Sequence, residues 1–451
     1  MEIQFLGATR TVTGSKYLLK DDKRVLIDCG LFQGLKELRL RNWNSLPISP
    51  ANIDAVVLTH AHIDHTGYLP LLVKNGFRGK IYGTHLTIEL CKVLLLDSGY
   101  LHEEEANRAN RLGYSKHKPA LPLYTKDDAR KVFSHFRAIS FHKEFNVGSF
   151  SFRFNRAGHI IGAATLMVKH RGGSSIVFSG DLGHVGDPCV LPLEEVSAAD
   201  YLVVESTYGD RLHPEIDTKE RLGEIINDTV SEGGTLIIPA FAVGRTQTIL
   251  YYIHDLKTEG RIPDVPVFLD SPMAQDITDI MLDNFNEHLL DKKTCIELAE
   301  GVRYVRTVQE SKEIDTYTFP KIIVSASGML TGGRVLHHVK VFSYDPRNVI
   351  LFAGYQAVGT RGEALLSGKK EIKMFGEYIT VNAQVISLSN ISAHADYEEI
   401  LAWLGRIKKP PKKVFITHGK AEASESLQTK IEEKFGWNCV IPEYLQVESL
   451  G

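Results

Sequence analysis

Apolar residues in this chain fall in short runs closed by glycine, proline, serine or aspartate. Runs of that length between turn residues predict strands. In the first third they cover residues 3–6, 17–19, 25–28, 55–58, 80–82, 150–154, 165–168 and 175–178, and Gly172 with Gly173 marks a hairpin between the last two. Helical periodicity covers 86–96 and 126–136, and 68–73 is amphipathic. Residues 103–118 are polar and carry Arg108, Arg111, Lys116 and Lys118. A solvated surface face is the simplest reading of that stretch; a loop or helix beside a functional site is the alternative.

Beyond Glu205 the texture changes. Four times an apolar run leads into a glycine- or serine-bearing turn and then a helical pattern: 235–238 into 241–245, 267–269 into 270–274, 322–324 into 325–334, and 349–352 into 354–361. Strands alternating with helices imply a mostly parallel sheet. Near the C-terminus, 391–396 and 414–419 bring back strand-end histidines of the kind seen in the first third. The simplest account is one α/β domain built from 1–207 and 383–451, with a second α/β domain, 208–382, inserted into it.

Composition narrows the class. Hydrophobic residues make up 43% and charged residues 24%, as in soluble globular proteins. The net charge of −3 excludes a uniformly basic nucleic-acid binder, so contact with a polyanion falls to a local patch and to bound metal. Five cysteines without paired spacing argue against a disulfide framework and a thiolate zinc site. No apolar run approaches membrane-spanning length, and the start, with Glu2, is unlike a signal peptide. The expectation is a cytoplasmic protein with no membrane partner.

The densest chemistry is the string His60-Ala-His62-Ile-Asp64-His65, after the apolar run 55–58. Neutral imidazoles and carboxylates are zinc ligands. His60 and His62 share a face of an extended strand end. Asp64 and His65 lie past the bend and cannot easily reach the same ion, which suggests two metals. A set of surface histidines is the competing reading. Other apolar runs also end near potential ligands: His159, Asp181, Glu205 and His418. Sites form beyond the carboxyl ends of strands in layered α/β folds. Each position alone is weak, since a lone strand-end histidine is more often structural.

With these residues in place, the chain resembles the metallo-β-lactamase superfamily and, within it, the β-CASP nucleases, over nearly its whole length. The motifs run in order: Asp28 ending the strand 25–28, the His60–His65 string, His159 in Ala-Gly-His-Ile-Ile-Gly, Asp181 in Phe-Ser-Gly-Asp-Leu-Gly, Glu205 in Val-Glu-Ser-Thr-Tyr-Gly, His394 in Ser-Ala-His-Ala-Asp, and His418 in Thr-His-Gly. The resemblance implies an αββα metallo-β-lactamase sandwich with an inserted α/β β-CASP domain. It implies two zinc ions, manganese being the alternative. One would sit on His60, His62, His159 and Asp181; the other on Asp64, His65, Asp181 and His418. Asp28 would orient a ligand histidine, unless it only forms a turn before Gly30. Asp64 would assist as a base, His394 would donate a proton to the leaving oxygen, and Glu205 would keep that imidazole charged. The plainer reading of Glu205 is a buried acid satisfied by Thr207 or backbone.

His418 stands where DNA-repair members carry valine, which favours RNA over DNA. A lid domain over the metals would suit single strands. Arg245, Ser327, Arg334 and Ser392 are candidate phosphate contacts. Glu363 departs from the basic residue common in relatives. The expectation is a compact bacterial-type enzyme, related to the cleavage and polyadenylation endonuclease. It would cut single-stranded RNA internally, with exonuclease activity on the cut ends, and homo-oligomers are compatible with it. The rivals are a small-molecule hydrolase of the same superfamily, a non-catalytic RNA-processing scaffold and a DNA nuclease.

Overall fold

The structure is a computed structural model that describes the backbone of residues 1–451 and every side chain but that of Ser389. It divides into two compact units: Met1–Gly186 with Pro192–Leu212 and His394–Gly451, and Asp187–Leu191 with His213–Ala393.

The first unit holds two seven-stranded sheets. One runs, edge to edge, through Val447–Ser449, Glu2–Phe5, Tyr17–Lys20, Arg24–Ile27, Ala55–Val57, Lys80–Gly83 and Phe136–Ala138. The other runs through Cys439–Val440, Lys413–Thr417, Tyr201–Glu205, Ser175–Phe178, Ala164–His170, Phe150–Arg156 and Phe145–Val147. Alternation along the strands explains why the sheets face each other. Phe150, Phe152 and Phe154 are buried on one side of their strand, and Ile3, Phe5, Val25, Ile27 and Val57 meet them from the opposite sheet. Strands buried on both faces read as continuous apolar runs. In Tyr201–Glu205, Val203 joins that inner core, while Leu202 and Val204 pack outward against Ile400 and Leu404 of the helix Tyr397–Leu404 and Leu427 and Ile431 of Ala421–Phe435. Sheet on sheet with outer helices is the metallo-β-lactamase sandwich.

The second unit is a six-stranded sheet in the order Arg303–Tyr304, Val267–Leu269, Lys321–Ser325, Thr235–Pro239, Val349–Phe352, Gln384–Ser387, every pair parallel. The strand–turn–helix units of the sequence build it. Gln384–Ser387 pairs with Val349–Phe352, so the second unit extends to Ala393.

Three local expectations need correction. The helix from His85 runs on to Leu112, through most of the polar stretch, because that sequence holds no helix breaker before Gly113, which caps it at φ 67°. The pattern over 126–136 stops as an α-helix at Val132 and tightens into a 3-10 turn, Phe133–His135. His394 does not end a strand: it lies between the turn Ser389–Ile391 and Asp396, whose carboxylate caps the helix Tyr397–Leu404. All five cysteines are buried free thiols.

Candidate metal centre

The first unit brings the histidines and acids of the motifs together beyond the carboxyl ends of its strands. His60 follows Ala55–Val57. His62 precedes a single helical turn, Ile63–Thr66, which carries Asp64 and His65. His159, Asp181 and His418 follow Phe150–Arg156, Ser175–Phe178 and Lys413–Thr417. Backbone bonds clamp the ligand turn: the Cys29 N–H donates to the His65 carbonyl at 2.7 Å, Leu31 N–H to Ile63 at 3.0 Å, and Ser15 N–H to Asp64 at 2.9 Å. Only glycine fits against this turn at position 30, where a Cβ would lie 1.5 Å from the Asp64 carbonyl oxygen.

Two groups of ligand atoms result. In the first, His62 Nδ1 lies 3.1 Å from His60 Nε2 and 3.2 Å from His159 Nε2. Asp181 Oδ2 lies 3.4 Å from His60 Nε2 and 3.6 Å from His159 Nε2. In the second, His418 Nε2 is 3.2 Å from His65 Nε2 and 3.3 Å from Asp64 Oδ2. Asp181 Oδ1, 3.2 Å from His65 Nε2, joins the two groups through one carboxylate. Zinc–nitrogen bonds of about 2.0–2.1 Å in a tetrahedron give ligand–ligand edges of about 3.3–3.4 Å. Most of these separations sit close to that value. Asp181 Oδ1 is also buried without a hydrogen-bond donor, as an oxygen reserved for a cation would be. The residues fit a metal centre.

Hydrogen bonds aim the ligands. Asp28 accepts the Thr59 N–H at 2.8 Å, the Thr59 hydroxyl at 2.9 Å and His65 Nδ1–H at 2.8 Å. That leaves the His65 Nε2 lone pair facing the second group. The Thr59 oxygen, its proton given to Asp28, takes Nδ1–H of His60 at 3.2 Å and turns the His60 Nε2 lone pair to the first group. Thr59 and Thr207, whose hydroxyl lies 3.2 Å from His418 Nδ1, are functional residues that sequence reasoning did not assign to the site; the signal for Thr59 was its place directly before His60. Burial lowers the pKa of His60, His62 and His159, His62 to about 3, so all three offer lone pairs. Burial also acts against a charge on His65, but Asp181 and Asp28 outweigh it and hold that pKa well above the usual histidine value, so a metal bound at Nε2 would displace a proton to reach the lone pair.

Glu205 lies in the same unit, fully buried. Its carboxylate accepts the Leu182 N–H at 2.7 Å and the Thr207 N–H at 3.2 Å, and both oxygens lie 3.2 Å from His394 Nδ1. Both readings of Glu205 therefore describe one carboxylate. Burial disfavours the His394 imidazolium, yet Glu205 outweighs it and raises the pKa. The His394 and His159 rings are 4.6 Å apart, which sets the Glu205–His394 pair beside the first ligand group.

The four phosphate candidates lie in the second unit. Arg245 is buried and bonded to Asp187 and to the Ile391 carbonyl. Arg334 donates to Asp270 at 2.6 Å and to the carbonyls of Val305 and Arg306. Both terminal nitrogens of each guanidinium thus donate within the fold. The Ser327 hydroxyl lies 2.9 Å from that of Thr331, and Ser392 is buried. Glu363 has a local role: its N–H is capped by Thr360 in the first turn of Arg361–Leu366, where an acid suits the helix dipole.

Comparison with known proteins agrees with this geometry. Family models match for the metallo-beta-lactamase superfamily over residues 11–218, the Beta-Casp domain over 246–365, and the Zn-dependent metallo-hydrolase RNA specificity domain over 378–442. Ribonuclease TTHA0252 of Thermus thermophilus is 36% identical over 437 residues, 94% of each chain. The RNase J-like protein of Methanocaldococcus jannaschii is 31% identical over 99% of this chain and 98% of its own. Transcription termination factor FttA of Methanosarcina mazei is 31% identical over 96% of this chain and 69% of its own. A crystal structure of a protein of unknown function from Enterococcus faecalis V583 shares the fold, with a TM-score of 0.57 at 15% identity over 100% of this chain and 99% of that one. The chain belongs to the β-CASP family of the metallo-β-lactamase superfamily.

Proposed function

We propose that the chain is a two-zinc ribonuclease that hydrolyses phosphodiester bonds of single-stranded RNA, cutting internally and trimming the ends it makes, in cytoplasmic RNA processing or degradation. The observation that carries this reading is the Asp181 carboxylate, with one oxygen in each ligand group, beside the Glu205–His394 pair. A ribonuclease relative at 36% identity supports it. The ligands would be His60, His62, His159 and Asp181 for one ion and Asp64, His65, Asp181 and His418 for the other, with manganese as the substitute.

Bound zinc would supply Lewis acidity toward a water and the phosphate oxygens. The remaining steps belong to the chain. Asp64, part-exposed at the edge of the second group, accepts the proton of the attacking water. His394 gives a proton to the leaving oxygen as the P–O bond breaks. Glu205, held by two backbone N–H groups, keeps that imidazole protonated and oriented. A small-molecule hydrolase with a good leaving group needs no such pair.

The test uses RNA labelled at either end, the matching DNA and a thioester, each with and without chelator. Internal RNA products that vanish with chelator and return with zinc are expected, as is an inactive Asp64→Asn variant. Thioester hydrolysis alone would discard the nuclease reading, and preferential cutting of DNA would discard the RNA assignment.

A further inference from the structure

The polar stretch 103–118 of the first unit takes no part in the metal centre, yet its charges are sorted. Glu103, Glu104 and Glu105 stand at its start. From residue 106 to 126 the chain holds no acid, against Arg108, Arg111, Lys116, Lys118 and Lys126. The acids are placed for local use. The Glu103 carboxylate accepts the Lys126 N–H at 3.1 Å, and Arg108 follows Glu104 by four residues, the spacing of a helical ion pair. Arg111 has Asn107 and Arg108 at the matching positions, and Lys116 and Lys118 lie past the helix end. None of these three meets a carboxylate among the described residues. A plain solvated face alternates its charges.

The turn beyond the helix is held in shape. Gly113 caps His85–Leu112, and Asn110 ties the returning chain to it. Its Nδ2–H donates to the Ala120 carbonyl at 3.0 Å, and its Oδ1 accepts the Ala120 N–H at 2.7 Å. The His117 N–H donates to the Ser115 hydroxyl oxygen at 3.1 Å. On this turn Arg111, Tyr114, Lys116 and Lys118 are all exposed, Tyr114 at 58%. A second basic run, 406–413, has acids against it instead: Arg406 meets Glu195 at 3.3 Å, Lys412 meets Asp200 at 3.8 Å and Lys413 meets Glu448 at 2.8 Å.

Cations set around an exposed aromatic ring suit a single strand, because the charges follow its backbone and the ring stacks on a base of any sequence. On a chain of net charge −3, contact with a polyanion falls to such a patch. We propose that the turn 111–118 is a second contact surface for single-stranded RNA, remote from the metal centre within the same unit. The helix gives the distance. It starts beside the centre, where the Thr84 and Thr87 hydroxyls donate to the Gly162 carbonyl at 2.6 and 2.9 Å, three residues after His159. Its 28 residues rise about 42 Å, the length of about 12 nucleotides at about 3.4 Å each.

The proposal rests on RNA as the ligand of the proposed function, and two arms keep the failures apart. In the first, the full-length protein binds a labelled RNA of about 30 nucleotides under chelator, where nothing is cut and the centre holds no cation. Arg111→Gln with Lys116→Gln and Lys118→Gln should weaken binding about 10–100-fold at about 0.1 M salt. The same triple change should flatten the slope of log K against log salt by about 2, for three lost phosphate contacts. Tyr114→Ala should weaken binding about 5–100-fold with that slope unchanged. Lys408→Gln with Lys409→Gln and Lys412→Gln removes the same charge and should change binding by less than about threefold. In the second arm the zinc-loaded enzyme cuts the same RNA and one of about four nucleotides, too short to span both places. The turn variants should raise KM on the long RNA with kcat kept, and leave both constants unchanged on the short one.

Unchanged binding and KM in the turn variants, equal losses on the short RNA, or an equal loss in the Lys408 control would overturn the proposal. So would a change in sedimentation that tracks the loss in Tyr114→Ala, which would assign the turn to a second copy of the chain. Binding through the turn without any cutting would overturn the proposed cleavage and leave the surface standing. Cutting of long RNA that ignores the turn would overturn the surface alone.

Discussion

Replacing Asp28 by asparagine tests the support beneath the second ligand group. The native carboxylate accepts three bonds at 2.8–2.9 Å, from the Thr59 N–H, the Thr59 hydroxyl and His65 Nδ1–H. An asparagine of the same shape has one acceptor oxygen and one donor nitrogen. If the oxygen faces the Thr59 N–H, the nitrogen meets Nδ1–H of His65, and the ring must move its proton to Nε2, the atom facing the ligand group. If the amide turns over, His65 keeps its tautomer, but the nitrogen meets the Thr59 N–H and a buried donor is orphaned. Either orientation loses a charge-assisted bond and either forces the wrong His65 tautomer or orphans a buried donor, worth about 1–3 kcal/mol. Loss of such outer support typically costs about 10–100-fold in metal affinity, or about 1.4–2.7 kcal/mol. Competition of the apoprotein against a chromogenic zinc chelator reads the affinity, and urea titration reads the stability. Asp28→Asn should lower both. Zinc affinity equal to wild type, with an unfolding free energy within about 0.5 kcal/mol of it, would refute the role given to Asp28.

Gly30→Ala should cost metal binding as well as thermal stability, because its Cβ has no room beside the Asp64 carbonyl oxygen; a variant with full zinc content would contradict the clamp. In the second unit His338 bridges Asp270 and Asp315 at 2.7 Å each, and although burial opposes its charge, the two carboxylates raise its pKa. Its contribution to stability is therefore complete below the unfolded histidine pKa and is lost as pH rises through the higher folded value. His338→Gln should destabilise the protein more at pH 6 than at pH 9, and a pH-independent difference would refute the charge assignment. Phe154, buried between the two sheets, should cost about 3–5 kcal/mol as alanine in a denaturant titration.

The sequence made some parts of this molecule legible because their causes are local. A strand buried on both faces must be a continuous apolar run, so 201–205, 235–239 and 349–352 could be read directly. The His60–His65 string carries half of its own geometry in its spacing. What could not be read depends on partners far along the chain. The short edge strands Phe136–Ala138 and Cys439–Val440 exist through the neighbours they pair with. The sequence presents Arg245 as a charged fork and Arg334 as the end of a glycine-rich turn; Asp187 and Asp270 pair with them in the structure, and no spacing rule connects Arg245 to Asp187. The extension of the helix to Leu112 stays one alternative among others in the sequence for another reason: only Ala106 and Ala109 are buried in its last two turns, too little for periodicity to register.

Charge unites the site with the reaction proposed for it. The chain gathers four carboxylates there, Asp28, Asp64, Asp181 and Glu205, on a protein that is already net negative. Against them stand His394 and His65, the two imidazoles whose pKa is raised, while burial holds His60, His62 and His159 neutral. The chain's own side chains thus leave the centre anionic, which repels a phosphodiester. Two divalent cations bound there, as proposed, would reverse that sign, and only then would a proton on His394 face a substrate drawn to it. On this logic the metals would create the attraction for RNA as well as the reactivity; His60, His62 and His159 would bind a cation without adding charge of their own, and His65 would give up its proton to do so.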